Sequence, residues 1–262
     1  MTDPVLLSVD GHVATITLNR PETLNALSND AMRMFEQTVR ALGDFADIRA
    51  VIITGTGRAF CAGGDLAEFK RALEADKQSL VDLLAYNQMV LQLVEDIPVP
   101  VIGAANGTAV AGGLELLLCC DIVLAAKGAR MGDGHARYAV VPSGGATVRL
   151  PRKIGPTRAA QLFYTADLID VETLMAWGLV SEVVPADRLM ERARALAAAI
   201  SRCSPEVLRR VKRLTAPKSD EAVTGRAEIE AFVAHVDGAD LHEGLTAFGE
   251  KRIPQYRGGA RG

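Results

Sequence analysis

A single carboxylate lies inside the most apolar part of this chain. Glu115 interrupts the glycine-rich run at residues 99–118, VPVIGAANGTAVAGGLELLL. Burying an ionised carboxylate costs several kcal/mol unless partners compensate for the lost water. We therefore expect Glu115 to act as an acid or base in a reaction. The alternative is that it caps free N–H groups at the start of its own helix.

Paired glycines occur twice where a predicted strand passes into a predicted helix. The pairs are Gly63-Gly64, in GTGRAFCAGGDLAEF, and Gly112-Gly113, in NGTAVAGGLE. The first N–H groups of a helix have no partner within it, and glycine lets a ligand approach the backbone closely. Each junction predicts a site for an oxygen anion, with an ordinary strand-to-helix turn as the alternative. The first segment fits neither GxxxxGK[ST] nor GxGxxG, which disfavours nucleotide hydrolysis and nicotinamide binding.

The apolar pattern around these residues predicts alternating strands and helices. The predicted strands are residues 5–9, 13–18, 50–54, 99–105, 121–126 and 180–184, the first two forming a hairpin through Asp10-Gly11. The predicted helices are a Ser28-capped helix to about residue 42, a long stretch ending near Glu95, the helix that carries Glu115, and residues 156–164, 171–177, 187–201, 205–214 and 219–236. This order favours a mainly parallel, layered α/β core with a helical C-terminal region. Residues 258–262 are expected to be frayed.

Charge and composition disfavour several classes of protein. The 29 Lys and Arg nearly balance the 32 Asp and Glu, for a net charge of −3, so we expect neither nucleic acid nor a membrane surface as partner. The N-terminus shows no secretion signal, which predicts a cytoplasmic protein. Residues 97–114 are uncharged but contain two prolines and four glycines, which favours a buried strand, turn and helix over a bilayer span.

The cysteines and histidines do not have the spacing of a disulfide framework or a metal site. Four cysteines, one adjacent pair among them, are irregularly spaced, which favours reduced thiols. The four histidines form neither HxxxH nor HExxH. We therefore expect no metal.

Four segments together resemble one known family in their order and spacing. They are NRPETLNAL at 19–27, GRAFCAGGDLAEF at 57–69, ANGTAVAGGLELLLCCDI at 105–122 and EGLTAFGEKRIP at 243–254. They resemble the crotonase family, the enoyl-CoA hydratases and isomerases, over nearly the whole chain. The resemblance implies a crotonase-like spiral of repeated β-β-α turns with a helical C-terminal region. It further implies an acyl-CoA-binding core at residues 1–195, a C-terminal region at 196–262 for oligomerisation and for covering the active site, and a homotrimer or hexamer.

Members of this family bind an acyl-CoA thioester and hold its oxygen with two backbone N–H groups while an enolate forms. By position, Gly64 and Gly112 are the implied oxyanion-hole donors, and Glu115 matches the glutamate that activates water. One such donor is typically worth ~10²- to 10³-fold in rate. Coenzyme A enters as part of the substrate, and no separate cofactor is implied.

The second catalytic glutamate of the hydratases is absent. Its place, in ARMGDGHARYAVVPSGG, is taken by His135. A histidine can serve as acid or base near neutral pH, and a plain surface or core histidine is the alternative. Among nearby residues, Asp133 is a candidate to orient His135 and Arg137 to pair with an acyl carboxylate, and Tyr138 or Ser143 is a candidate for the acyl pocket.

Three functions remain open at this stage. The first, which we favour, is hydration or isomerisation with Glu115 as acid or base. Isomerisation needs only one carboxylate and therefore survives the missing glutamate better than hydration does. The second is hydrolysis of a carbon–carbon bond in a β-diketone with His135, although such enzymes carry an aspartate where this chain has Gly144. The third is an acyl-CoA-binding subunit without turnover.

The resemblance also implies residues that contact coenzyme A. Those in the second segment are Ala62, Gly64, Asp65, Leu66 and Ala67. Phe232 is placed near the adenine, with a core position as its alternative. Lys251 is placed near a phosphate, with a solvated surface charge as its alternative.

Overall fold

Strands and helices alternate through the described part of the computed structural model, which comprises residues 3–45, 47–215, 229–230, 232–233 and 236–254. The strands are β1 Val5–Asp10, β2 Val13–Leu18, β3 Ala50–Gly55, β4 Ala59–Cys61, β5 Val101–Ala105, β6 Thr108–Val110, β7 Ile122–Ala126, β8 Arg130–Gly132, β9 Ile169–Asp170 and β10 Glu182–Val184. The helices are α1 Asn29–Ala41, α2 Leu66–Ala75, α3 Lys77–Glu95, α4 Gly112–Leu118, α5 Ala146–Ile154, α6 Pro156–Thr165, α7 Val171–Trp177, α8 Leu189–Ser201, α9 Pro205–Thr215 and α10 Ala239–Gly249.

The strands form two sheets, and a repeating unit contributes strands to both. One sheet has the order β1-β2-β3-β5-β7-β10, with only the β1-β2 pair antiparallel, and the other has the order β4-β6-β8-β9. Successive strands such as β3 and β4, or β5 and β6, enter different sheets before the chain passes into a helix. The predicted spiral of β-β-α turns around a mainly parallel core is confirmed.

The core lies where both faces of the longer sheet are covered. Val51, Ile52 and Ile53 in β3 are fully buried, as expected for a parallel strand between two layers. Helix α8 covers one face through Leu189, Ala193 and other apolar residues. Helices α1, α3 and α4 contribute to the larger apolar cluster, which also contains Ile53. This rigid centre supports the two strand-to-helix junctions.

Several details differ from the sequence predictions. The hairpin turn consists of Gly11 and His12, because Asp10 pairs with Val13 as the last residue of β1. The long helix ending at Glu95 is two helices, because Asp76 adopts an extended backbone and its side chain caps α3 through Ser79 N–H. Helix α5 was not predicted, and it contains Pro151. The predicted helix at 219–236 falls largely outside the described residues, as does the predicted frayed end at 258–262.

Helix α10 packs against the turn that carries His135. Tyr138, at the end of the 3₁₀ turn His135–Tyr138, meets Phe248 edge to face with ring centroids 5.5 Å apart. Gly244 lies so close to Tyr138 that an added Cβ would be 2.2 Å from its carbonyl oxygen. The C-terminal region therefore braces this turn, and its role in oligomerisation stays a prediction.

Replacing Gly113 with Ala should destabilise the fold. An added Cβ would lie 2.2 Å from the Cys61 carbonyl oxygen, so α4 would have to move away from β4. We expect a loss of about 1–3 kcal/mol in the free energy of unfolding, measured by urea denaturation. Gly43→Ala is the matched control because nothing lies within 4 Å of its Cβ position. Equal stability of the two variants would contradict the close approach.

Candidate active site

Glu115 is held by a loop from elsewhere in the chain and does not cap its own helix. It is 4% exposed, and its Oε1 accepts N–H groups of Gly144 at 2.8 Å and Ala146 at 3.3 Å. The N-cap of α4 is Ala111, at φ 52°, and it makes no side-chain cap. The capping alternative is therefore not what this carboxylate does. Its other oxygen, Oε2, is free to face a reacting group.

The loop that holds Glu115 requires glycine at position 144. An added Cβ there would lie 2.5 Å from Glu115 Oε2, inside van der Waals contact. The loop is tied down by Arg149, which donates to the Gly144 carbonyl at 2.7 Å. Arg149 also forms a bidentate pair with Glu95, at 2.8 and 2.7 Å. This arrangement links α3 and α5 to the position of the carboxylate.

His135 stands between two carboxylates. Its Nδ1 lies 2.9 Å from Asp133 Oδ1, and its Nε2 lies 3.9 Å from Glu115 Oε2. The Asp133 carboxylate also accepts the His135 backbone N–H at 3.3 Å. Because Asp133 contacts Nδ1, Nε2 is the nitrogen presented to Glu115. The side chain is mostly buried, so a surface histidine is not what the structure shows.

The environment raises the pKa of Glu115 above its ordinary value. Burial is the largest cause, since it removes water from the ionised form. The charge on Asp133 raises this pKa further, whereas His135 and the two loop N–H groups lower it. A carboxyl group whose pKa moves toward neutrality is a more effective proton acceptor and donor at the pH of the cell.

The Gly64 N–H points away from the segment that precedes α1. Leu27 pairs with this stretch by donating to Gly63 O at 2.8 Å and accepting from Asp65 N at 3.3 Å. Since successive N–H groups of an extended chain face opposite sides, the N–H of Gly64 faces the other way. A Cβ added to Gly112 would lie 3.4 Å from the Gly64 nitrogen. The two peptide groups are therefore neighbours, and neither N–H has an acceptor within the described ranges.

Asn25, in the NRPETLNAL segment, fixes the position of Leu27. Asn25 is buried, at φ 57°, and its amide donates to the carbonyls of Thr56 and Ala59 at 2.9 Å each. Its Oδ1 accepts the Arg20 N–H at 2.8 Å. These bonds fasten the first resembling segment to the start of the second.

One small cavity brings the central candidates together. Its volume is about 40 Å³, and its wall includes Gly64, Gly112, Glu115, His135 and Ser143. The rest of the wall is mainly apolar, with Leu27, Met32, Phe69, Leu84, Leu91 and Val140. Main-chain donors, a carboxylate and an imidazole thus share one enclosed space.

Other sequence candidates lie outside this wall. Asp65 caps α2 through the N–H groups of Ala67 and Glu68, and Ala62 donates to Leu24 O at 2.9 Å. Leu66 begins α2. Arg137 reaches the Ala166 carbonyl at 3.5 Å. The proposed contacts of Ala62, Asp65, Leu66 and Ala67 with coenzyme A stay predictions.

The two C-terminal candidates differ in exposure. Phe232 is fully buried beside Phe69, Leu84 and Leu241, which is the placement of a core side chain. Lys251 is exposed just after α10, at φ 55°. Their contacts with adenine and phosphate stay predictions.

Sequence reasoning missed Asn87, which also lines the cavity. It lies on α3 with Leu84 and Leu91, three residues before and four residues after it, on the same face. A polar residue within an otherwise apolar stripe was the available signal. Arg149 and Glu95 were missed as well, because no local pattern reveals an ion pair between distant helices.

Cys61 is a poor nucleophile despite its position beside the glycine junction. It is fully buried, and burial raises the pKa of its thiol to about 12. All four cysteines are free thiols.

The described residues contain no group of three or more His, Cys, Asp or Glu that could hold a metal ion. Within the same ranges, no helix has the length and apolar character needed to cross a bilayer.

Comparison with known proteins identifies one family. The sequence profile of the enoyl-CoA hydratase/isomerase family matches residues 9–259. The chain is 35% identical to crotonyl-CoA hydratase of Syntrophomonas wolfei, covering 96% of this chain and 97% of that one. It is 36% identical to mitochondrial methylglutaconyl-CoA hydratase of Mus musculus, with coverages of 94% and 80%.

A solved structure extends the likeness to three dimensions. Carnitinyl-CoA hydratase from Mycobacterium avium superposes with a TM-score of 0.86 at 28% identity, covering 98% of this chain and 99% of that one. Together with the profile match along almost the full length, this shows that the chain belongs to the enoyl-CoA hydratase/isomerase family and is an enzyme of that type.

Proposed function

We propose that this protein hydrates a 2-enoyl-CoA thioester, with Glu115 and His135 sharing the proton transfers. The observation that carries the proposal is the facing pair in the cavity wall, His135 Nε2 and Glu115 Oε2, 3.9 Å apart. This separation is too long for a direct hydrogen bond. Each group is oriented by its own partners, His135 by Asp133 and Glu115 by the loop N–H groups of Gly144 and Ala146.

The thioester oxygen is held by the N–H groups of Gly64 and Gly112. In support, both glycines line the cavity and neither N–H has an acceptor in the described structure. As water adds to the β-carbon, the thioester gains enolate character and its oxygen gathers charge. Donors already in place stabilise that charge without reorganising.

The two side chains divide the proton work. The Glu115 carboxylate takes one proton from water as the hydroxide oxygen bonds to the β-carbon. Protonated His135, its Nδ1 facing Asp133 at 2.9 Å, then gives its Nε2 proton to the α-carbon of the enolate. Transfer of the proton from Glu115 back to His135 restores the starting state, so water has been added and no proton is gained or lost.

The three alternatives are less well supported by the site. Isomerisation could proceed on Glu115 alone, and then the buried Asp133–His135 pair would have no role. Carbon–carbon hydrolysis would use His135 with an aspartate near position 144, but even a Cβ there would meet Glu115. A subunit without turnover would retain a buried carboxylate of raised pKa with no chemical use for it.

Binding and assembly follow the family pattern in this proposal. The acyl part of the substrate occupies the cavity, and coenzyme A enters as part of the substrate without a further cofactor. We also propose a cytoplasmic homotrimer or hexamer whose C-terminal region takes part in the contacts.

Glu115→Gln should abolish turnover but keep substrate binding. Glutamine preserves an oxygen for the Gly144 and Ala146 N–H groups but cannot accept a proton from water. We expect hydration of but-2-enoyl-CoA to fall by about 10²- to 10⁴-fold, followed by the loss of conjugated absorbance. Glu172→Gln, at an exposed carboxylate in α7, is the matched control. Unchanged turnover in Glu115→Gln would refute catalysis through this residue.

His135→Ala should slow both hydration and proton exchange at the α-carbon. If His135 supplies that proton, hydration falls by about 10²-fold or more, and solvent deuterium enters the α-position correspondingly more slowly. Mass spectrometry of the thioester after incubation in D₂O measures the exchange. Normal hydration by this variant would show the histidine to be a bystander.

Glu115→Gln should also stabilise the fold at neutral pH. The folded-state pKa of Glu115 is raised above 4.5, so the folded protein binds this proton more tightly than the unfolded chain. Wild-type stability therefore falls as pH rises from about 4.5 through the raised value, at up to about 1.4 kcal/mol per pH unit. Urea unfolding between pH 4 and 8 should show an advantage of the variant that grows with pH. An advantage that shrinks as pH rises would contradict the raised pKa.

A further inference from the structure

One buried acceptor in the cavity wall has no partner in the protein. Asn87 Oδ1 is removed from solvent, and it is the only buried side-chain nitrogen or oxygen of the described residues without a hydrogen bond. Such a group typically costs stability unless something pairs with it. Its neighbours along the wall, Leu84 and Leu91, are apolar and offer no donor. The Asn87 side chain lines the cavity, so a rotation of its amide would present this acceptor to a molecule inside it.

The position of Asn87 separates it from the water that attacks the β-carbon. Leu91, not Asn87, is the α3 residue packed over the Glu115 loop, its Cδ1 being 2.8 Å from the Cβ position of Gly144. Asn87 lies one helical turn earlier, about 5.4 Å along the axis. Leu84 and Phe69 line the same cavity as Asn87, and we take the amide to lie beyond the reacting carbons.

The remaining wall decides which acyl group would satisfy this amide. A purely hydrocarbon chain would fill the apolar wall but leave Asn87 Oδ1 without a donor. A carboxylate on the chain would add a further negative charge near the carboxylates of Glu115 and Asp133. Arg149 is already engaged by Glu95 and the Gly144 carbonyl. A neutral hydroxyl group supplies the missing donor and adds no charge.

We infer that Asn87 is a specificity-determining residue that selects a short acyl-CoA whose chain carries a hydroxyl group beyond the β-carbon. The inference rests on the proposed hydration, and it names the acyl class that this site takes. The small volume, about 40 Å³, favours a compact group. The hydroxyl hydrogen is donated to Asn87 Oδ1 while the thioester oxygen lies at Gly64 and Gly112.

The test compares but-2-enoyl-CoA with 4-hydroxybut-2-enoyl-CoA as substrates of the wild type and of Asn87→Leu. We expect kcat/KM of the wild type to favour the hydroxylated thioester by about tenfold or more, since a site built to pair with a hydroxyl rejects the analogue lacking it. In Asn87→Leu this preference should disappear or reverse. Met89→Leu, at an exposed residue of the same helix outside the cavity wall, is the matched control and should keep the wild-type ratio.

Binding measurements on the wild type test the Asn87 contact independently of turnover. Calorimetry with the unreactive 4-hydroxybutanoyl-CoA and butanoyl-CoA should show tighter binding of the hydroxylated thioester. If that preference is seen but neither enoyl thioester is hydrated, hydration is wrong and the Asn87 contact is supported. Equal binding of the two would overturn the contact even if hydration is observed. Equal loss of kcat/KM on both substrates in Asn87→Leu would also overturn it, by assigning Asn87 to the attacking water.

The stability of Asn87→Leu provides a second test. Replacing a side chain whose buried carbonyl oxygen is unpaired with an apolar one should raise the urea midpoint of unfolding. A higher midpoint together with a lost substrate preference shows that the amide serves binding at the expense of stability. A lower midpoint would mean that the amide has a structural partner, which contradicts the inference.

Discussion

The site depends on keeping one carboxylate inside an apolar centre. Glu115 is surrounded by the core of α4, where Leu114, Leu116 and Leu117 are all buried. An ionised group in such surroundings is tolerated only when hydrogen bonds replace its lost water. The N–H groups of Gly144 and Ala146 provide that replacement. The loop, its glycine and the helices that fasten it can all be understood as consequences of this requirement.

This requirement also connects parts of the protein that are far apart in sequence. Arg149 on α5 reaches both Glu95 on α3 and the carbonyl of Gly144. His135 approaches Glu115 from a turn that α10 braces through Tyr138 and Phe248. A disturbance of either support would shift groups whose useful geometry tolerates only fractions of an ångström. The supporting contacts are therefore as much a part of the site as the residues that touch substrate.

The features that sequence could predict are those with a local signal. An isolated glutamate in an apolar run, paired glycines after a strand, and segments in a familiar order led to Glu115, Gly64, Gly112 and the fold. The split between α2 and α3 was missed because Asp76 ends one helix and caps the next without a proline or glycine. Helix α5 was not predicted, and it runs through to Ile154 although it contains Pro151, a residue type that disfavours helix interiors. Asn87 and Arg149 acquire their meaning only from partners brought close by the fold.

The proposed oxyanion donors belong to the main chain, whereas the proposed acyl-binding wall consists of side chains. A peptide N–H is present whatever side chain its residue carries, proline excepted, so mutation can remove these donors only by moving the backbone. The wall residues Met32, Leu84 and Asn87 come from helices α1 and α3, which are separate from both glycine junctions. Evolution can therefore exchange the substrate one side chain at a time while the machinery for stabilising the intermediate is inherited intact.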